Sequence, residues 1–125
     1  MTTSRQELGL RGEQVAQDWL VARGWRLIER RFRSGHRDID LVMERVAGDH
    51  VMIAFVEVKT RVSGAFGGPL GAVHWRKQRE MARAARDWMA SRRRSSDYYR
   101  FDVVGVICGG GPPEVVHVEN AFRVG

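Results

Sequence analysis

A single cysteine, Cys108, is all the thiol chemistry in this 125-residue chain. One sulfur can neither close a disulfide framework nor build a cysteine zinc site, so burial must hold the fold together, as suits a reducing cytoplasm. Long hydrophobic runs are missing as well. No apolar stretch approaches the roughly 18 residues of a membrane span, and the N-terminal MTTSRQELGLRG lacks the apolar core of a signal peptide. There is no internal repeat, heptad or low-complexity tract. Residues 60–71 carry four glycines and a proline, but they match neither the phosphate-loop nor the dinucleotide fingerprint. They read as a loop without regular structure, placed to act as a flap beside whatever the preceding strand carries.

What is present is an ordinary globular composition, 43% hydrophobic and 29% charged, in a length that suits one domain over residues 1–125. The balance is basic: 21 Lys+Arg against 15 Asp+Glu, a net charge of +6. That excess favours a polyanionic partner such as nucleic acid. An anionic membrane surface is the weaker reading, because no segment pairs a basic face with a strongly apolar one.

The chain is organised around residues 51–59, VMIAFVEVK. As a strand it places Val51, Ile53, Phe55, Glu57 and Lys59 on one face and Met52, Ala54, Val56 and Val58 on the other. Both faces are apolar until the last three residues, the pattern of a central strand covered on both sides. A carboxylate and an ammonium on one face at its end read as the rim of a site. Residues 34–37, Ser-Gly-His-Arg, form a turn, and residues 38–43 alternate as a second strand, with Ile39, Leu41 and Met43 on one side and Asp38, Asp40 and Val42 on the other. A hairpin through residues 46–50 brings Asp40 close to Glu57. Two carboxylates and a lysine then converge at one sheet edge.

Ser4 with Glu7 makes a capping box, so a first helix is expected over residues 5–23, capped by Gly24, with Leu8, Val15, Ala16, Trp19 and Leu20 as its buried stripe. Glu13 lies near that stripe. Two readings stand: an edge carboxylate paired with a nearby arginine, which helix geometry favours, and a carboxylate aimed at the sheet. Residues 25–33 read as an edge strand with Trp25, Leu27 and Glu29 on one face and Ile28 and Phe32 on the other. Its Arg30, Arg31 and Arg33 either protect a solvated edge or contact phosphate. A second helix is expected over residues 73–91, with Met81, Ala84, Ala85 and Trp88 in the core. Its Lys77 opposes the helix dipole, so either a snorkelling stem or a contact with phosphate or Glu57 should hold it there. Arg92, Arg93 and Arg94 read as a solvated C-terminal cap. Strands follow at 100–107, where Asp102 shares a face with Val104 and Val106, and at 114–118, separated by a Gly-Gly-Gly-Pro-Pro turn.

Asp40 followed by Glu57-Val58-Lys59 on adjoining strands, after an acidic helix and before a helix that begins with Lys77, resembles the PD-(D/E)XK nuclease superfamily. The resemblance narrows further. Gly12-Glu13-x-x-Ala16, Asp38-Ile39-Asp40-Leu41-Val42, Phe55-Val56-Glu57-Val58-Lys59-Thr60-Arg61, Arg100-Phe101-Asp102-Val103-Val104 and Asn120-Ala121-Phe122 are similar to the bacterial YraN-like family over nearly the whole chain. That family usually has Gly-Glu where Arg37-Asp38 stands here, so the acid is kept but shortened.

The resemblance implies an α/β fold of restriction-endonuclease-like type, a mixed sheet flanked by helices in the order α-β-β-β-α-β-β. It implies Mg²⁺ or Mn²⁺ held by Asp40, Glu57 and the Val58 carbonyl, with Glu13 completing the shell. Lys59 would orient or deprotonate the attacking water, and Lys77 and Asp38 would support the site. DNA is the implied substrate, with Arg30, Arg31, Arg33 and Arg61 on its phosphates, and a junction-resolvase-like layout would imply a dimer. The competing expectation is a catalytically silent nucleic-acid-binding module that keeps the fold. A further alternative is a basic domain in which Glu57 and Lys59 merely pair.

Overall fold

The computed structural model describes residues 4–64, 73–92 and 97–123. The elements follow the expected order: α1 (Arg5–Val21), β1 (Arg26–Ser34), β2 (Arg37–Ala47), β3 (His50–Arg61), α2 (Trp75–Ser91), β4 (Asp97–Ile107) and β5 (Glu114–Phe122). The Ser4 side chain accepts the Glu7 N–H, which starts α1. The helix ends two residues earlier than expected. The chain turns through Gly24 at φ +94°, and the Trp25 N–H returns to the Leu20 carbonyl. His74 caps α2 by accepting the Arg76 N–H, so that helix begins at Trp75 rather than 73.

The five strands form one sheet in the order β1-β2-β3-β4-β5. All neighbours are antiparallel except β3 and β4, which the α2 crossover makes parallel. One face packs on α1, where Ala16, Leu20 and Trp25 meet Leu41, Met43, Ala54, Val56, Val104 and Val106. The other packs on α2, where Ala84, Ala85 and Trp88 meet Ile39, Val42, Ile53 and Phe55. The Trp88 and Phe55 rings meet edge to face at 5.6 Å. Each such large side chain contributes about 1.5–3 kcal/mol by leaving water.

Several expectations are corrected. β4 begins at Asp97 because Asp97 to Tyr99 pair with Val51 to Ile53. β5 continues past Val118 to Phe122, accommodated by a bulge opposite Phe101–Val103 and a left-handed Asn120 at φ +49°. Glu29 does not share a face with Leu27: a bulge at Ile28 turns Glu29 toward α2, where it binds Arg92 at 2.7 Å. Arg92 is therefore no solvated cap. Its guanidinium also lies 5.4 Å from the Phe32 ring and 5.2 Å from Trp88. Of the loop expected as a flap over 60–71, Thr60 and Arg61 belong to β3, and residues 65–71 lie outside the described residues, as do Arg93 and Arg94. Finally, α2 does pair a basic face, Arg76, Arg79, Arg83 and Arg86, with an apolar one, but the apolar face is used up against the sheet. Among the described residues no helix is long and apolar enough to cross a membrane.

Candidate active site

β2 and β3 pair in a register that ends at Leu41–Val56, and one further step would set Asp40 against Glu57. There the ladder changes. The Val58 N–H goes to Asp40 Oδ2, at 2.8 Å, so a side chain takes the donor that a neighbouring strand would otherwise satisfy. The strand alternation also slips at this point. Leu41 and Met43 pack toward α1, but Ile39 joins Val42 on the α2 face, contrary to its expected grouping with Leu41 and Met43.

Across from Asp40, β1 has its own irregularity. Arg31 adopts φ +50°, a left-handed conformation that costs a non-glycine residue about 1–2 kcal/mol. Its consequence is visible in the neighbours. Arg30 reaches Gln14 and Arg31 reaches Glu13, so two consecutive residues of a strand serve the same helix. The paired distortion of β1 and β2 turns Arg31 and Asp40 toward one cleft.

Glu13 enters that cleft from α1. It is only 7% exposed, and both its oxygens accept from Arg31 at 3.0 Å. The arginine pairing that helix geometry favours is present, yet the pair faces the sheet. Gly12 explains how the helix comes so near: a Cβ there would lie 1.9 Å from Thr60 Oγ1 and 2.8 Å from Thr60 Cβ. Only glycine allows α1 to lie this close to the end of β3.

Two adjoining clefts result. One, of about 430 Å³, is lined by Glu13, Arg31, Arg33, Asp38 and Asp40. The other, of about 380 Å³, is lined by Arg5, Leu8, Gly9, Glu13, Asp40, Glu57, Val58 and Thr60. Glu13 and Asp40 form their shared wall. Arg30 turns to Gln14 on α1 and lines neither cleft, and Arg61 is exposed as the last residue of β3.

Burial raises the Asp40 carboxyl to about 6; the Val58 N–H opposes this and Glu13 adds to it. Burial raises Glu57 to about 7, reinforced by Asp40 and opposed by Lys77. Lys77 reaches over from α2 to within 3.5 Å of Glu57 and 3.6 Å of Asp38. These are ion-pair separations rather than hydrogen bonds, and Glu57 Oε2 has no hydrogen-bond partner.

The two lysines are pushed in opposite directions. Burial lowers Lys59, with Arg61 adding to the effect and Glu57 resisting it. Burial also works against Lys77, but Glu57, Asp38 and Asp40 outweigh it and hold its ammonium above the ordinary value. Sequence reading missed a signal here. Of the 21 Lys+Arg residues only these two are lysine, and both stand in the field of Glu57. Arginine cannot give up its proton in a protein; lysine can.

Asp40 and Glu57 are hard oxygen donors whose mutual repulsion, with a single N–H on Asp40 and no hydrogen bond to Glu57 Oε2, suits a divalent cation with water completing its shell. Glu13 is engaged by Arg31. Among the described residues no group of three or more His, Cys, Asp or Glu is arranged to hold a metal ion. The fit is therefore that of a two-carboxylate site.

Residues 12–106 match the profile of a family described as "Uncharacterised protein family UPF0102". The chain is 39% identical over 124 residues to a UPF0102 protein of Geobacter metallireducens, covering 99% of this chain and 98% of the relative. It is 43% identical over 118 residues to one of Trichlorobacter lovleyi, covering 94% and 91%. A UPF0102 protein of Rhodococcus opacus is 38% identical over 116 residues, covering 92% and 95%.

Proposed function

The chain belongs to the UPF0102 family, and from that premise we propose that it is a divalent-cation-dependent phosphodiesterase that cleaves DNA. One observation carries the reading: two largely enclosed carboxyl groups line one cleft at the end of a central strand, with their proton affinities raised to about 6 and 7. A fold tolerates that cost where a cation or a reaction repays it.

Asp40, anchored through Oδ2, and Glu57, with Oε2 unengaged, would hold Mg²⁺ or Mn²⁺ together with the Val58 carbonyl. A cation bound there would polarise a phosphoryl oxygen and acidify a bound water. Lys59, its affinity for a proton lowered, is the side chain suited to take a proton from the attacking water or to orient it. Lys77 keeps its proton and offers a fixed positive charge to the developing phosphorane, as well as to Glu57 and Asp38. Glu13 acts through Arg31, which it holds in the cleft beside Arg33, where a scissile phosphate would need positive charge. Arg61, the last residue of β3, would extend that charge along a bound backbone.

A second reading is a nucleic-acid-binding module without catalysis. The position of Lys77, which already neutralises part of the Glu57 and Asp38 charge, favours it. The test is cleavage of linear and branched DNA with Mg²⁺ or Mn²⁺, alongside gel shifts in EDTA, for wild type and Glu57→Ala. The proposed enzyme cleaves, and the variant loses cleavage while keeping or gaining affinity as a repelling carboxylate is removed. Absence of cleavage with retained binding leaves the module reading. Equal cleavage by the variant removes Glu57 from the chemistry.

A further inference from the structure

A separate cleft, of about 300 Å³, lies on the α2 side of the molecule, away from Glu13 and the α1 face. Its walls are His36 from the β1–β2 turn, Arg37 at the start of β2, and Trp75, Arg76, Arg79 and Arg83 from the exposed face of α2, with Glu80 the single acid. Trp75 is 54% exposed, whereas Trp25 and Trp88 are buried. An indole left in water needs a reason. Here it is flanked by cations, with the Arg76 guanidinium 5.5 Å and the Arg79 guanidinium 5.8 Å from its ring, and His74 tilted against it at 5.7 Å.

The cleft adjoins the carboxylate site through the chain itself. Arg37 precedes Asp38, Arg76 precedes Lys77, and Asp38 and Lys77 are ion-paired. A strand whose phosphate lies at Asp40 and Glu57 therefore has a basic, aromatic surface within reach on the far side of Lys77.

We propose that the Trp75 cleft binds a single-stranded segment of nucleic acid next to the carboxylate site, one base stacking on the Trp75 indole while Arg37, Arg76, Arg79 and Arg83 contact the phosphates on either side. Positive charge alone would serve any polyanion. The exposed ring specifies an unstacked base, because a duplex offers no free π-face to an indole standing on a helix surface. This assigns the substrate of the proposed nuclease to DNA with a single-stranded portion: a flap, a gap or the arm of a branch. It rests on the nucleic-acid reading of the carboxylate site.

The test measures binding in EDTA, so cleavage plays no part. Wild type, Trp75→Ala and the double variant Arg79→Ala/Arg83→Ala are titrated with a single-stranded oligonucleotide, the same oligonucleotide made abasic, and a blunt duplex. Trp75→Ala should weaken single-strand binding about tenfold or more and leave duplex binding within a factor of about two, the difference expected from loss of one stacked base. The abasic strand should bind wild type as weakly as the normal strand binds Trp75→Ala. Intrinsic fluorescence should be quenched by the single strand in wild type and not in Trp75→Ala. The arginine variant should lower the dependence of affinity on salt by up to two counterions. Equal losses on single strand and duplex, or full-strength binding of the abasic strand, overturn the stacking site while leaving the carboxylate reading intact. If wild type binds no nucleic acid of any form, both readings fall together.

Discussion

Two acids withdrawn from solvent sit in the same sheet, one fully and one for the most part, and they are treated in opposite ways. Asp102 on β4 is 0% exposed, and its two oxygens receive three donors. These are the Asn120 N–H at 3.0 Å, Arg100 Nη2 at 3.0 Å, and His117 Nε2 at 2.7 Å in the tautomer that a carboxylate partner demands. The Trp19 ring closes edge-on over His117, and Trp25 stacks with the Arg100 guanidinium 5.0 Å from its ring. At the other end, Glu57 has one oxygen without a hydrogen bond, a lysine held at 3.5 Å, and a second carboxyl as neighbour. The same sheet that satisfies one acid leaves the other in deficit. A buried carboxylate is therefore a sign of function only when its partners are missing or loose; a saturated one is architecture.

The sharpest way to break this contrast is to remove the saturated acid. Asp102→Ala leaves His117 and the Asn120 N–H without their acceptor and Arg100 with Glu119 alone, and breaking a buried ion pair in this way costs about 3–5 kcal/mol. Urea melts should show that loss. Glu57→Ala should cost nothing or stabilise, since it deletes a repelling charge and no hydrogen bond to Oε2. If Glu57→Ala destabilises as much as Asp102→Ala, the two ends are alike and the site is structural.

The next effect is one of pH. Asp40 and Glu57 hold protons in the folded protein up to about 6 and 7, above the values near 4 of the unfolded chain. The folded state therefore binds more protons than the unfolded one between those limits. Stability contributed by these groups is complete below about pH 4 and is lost as pH rises to 7. At ~1.36 kcal/mol per pH unit for each group, the loss is on the order of several kcal/mol for the pair. Thermal melts in EDTA at pH 5 and 8 should show it, Glu57→Gln should flatten it, and Mn²⁺ at pH 8 should restore it by binding the ionised pair. An unchanged slope in Glu57→Gln would falsify the assignment of the loss to this site.

Much of this was legible in the chain, and the reasons are physical. The apolar run before Glu57 required a covered central strand, and hairpin arithmetic about Gly48 put Asp40 beside it. Elements and faces followed from periodicity wherever the backbone stayed regular. Readings failed where it did not. The bulge at Ile28 reversed Glu29, the left-handed Arg31 broke alternation in β1, and the slip at Asp40 moved Ile39 to the α2 face. Such irregularities depend on neighbours distant in sequence, so no local pattern announces them. The Asp102 network was hidden for a similar reason. Its partners come from β4 and β5 over a second bulge, and only an isolated acid among valines hinted at it.

A smaller effect tests how α1 delivers Glu13. Gly12→Ala places a methyl into Thr60, whose Cβ cannot rotate away. Alanine's better helix propensity returns roughly 1 kcal/mol, so the net cost should be about 1–2 kcal/mol of overpacking. Thr60→Ala in the same chain should recover only part, because it removes Oγ1 and Cγ2 but leaves Cβ at 2.8 Å. A fully stable Gly12→Ala would show that the helix can back away, and the close approach would no longer explain the position of Glu13.

The smallest change in stability, and the finest division between the two ends, is expected of Glu13→Gln. The Arg31 side chain is half-exposed, so the pair contributes under about 1 kcal/mol, and glutamine still accepts one of its two hydrogen bonds. Its effect on cation binding should be larger than its effect on folding. Glu13 adds negative potential at Asp40 and fixes Arg31 in the cleft; losing an orienting partner of this kind typically costs about 10-fold or more in metal affinity. Arg31→Ala should act in the opposite direction. It removes a positive charge from beside Asp40 and frees Glu13 to face the cation, so affinity for Mn²⁺ should rise. Calorimetric titration of both variants at pH 8 reads the two signs directly. A fall in Glu13→Gln with a rise in Arg31→Ala places the pair in the electrostatics of the site. No change in either makes it an ion pair of the scaffold, like Asp102 and Arg100 at the other end.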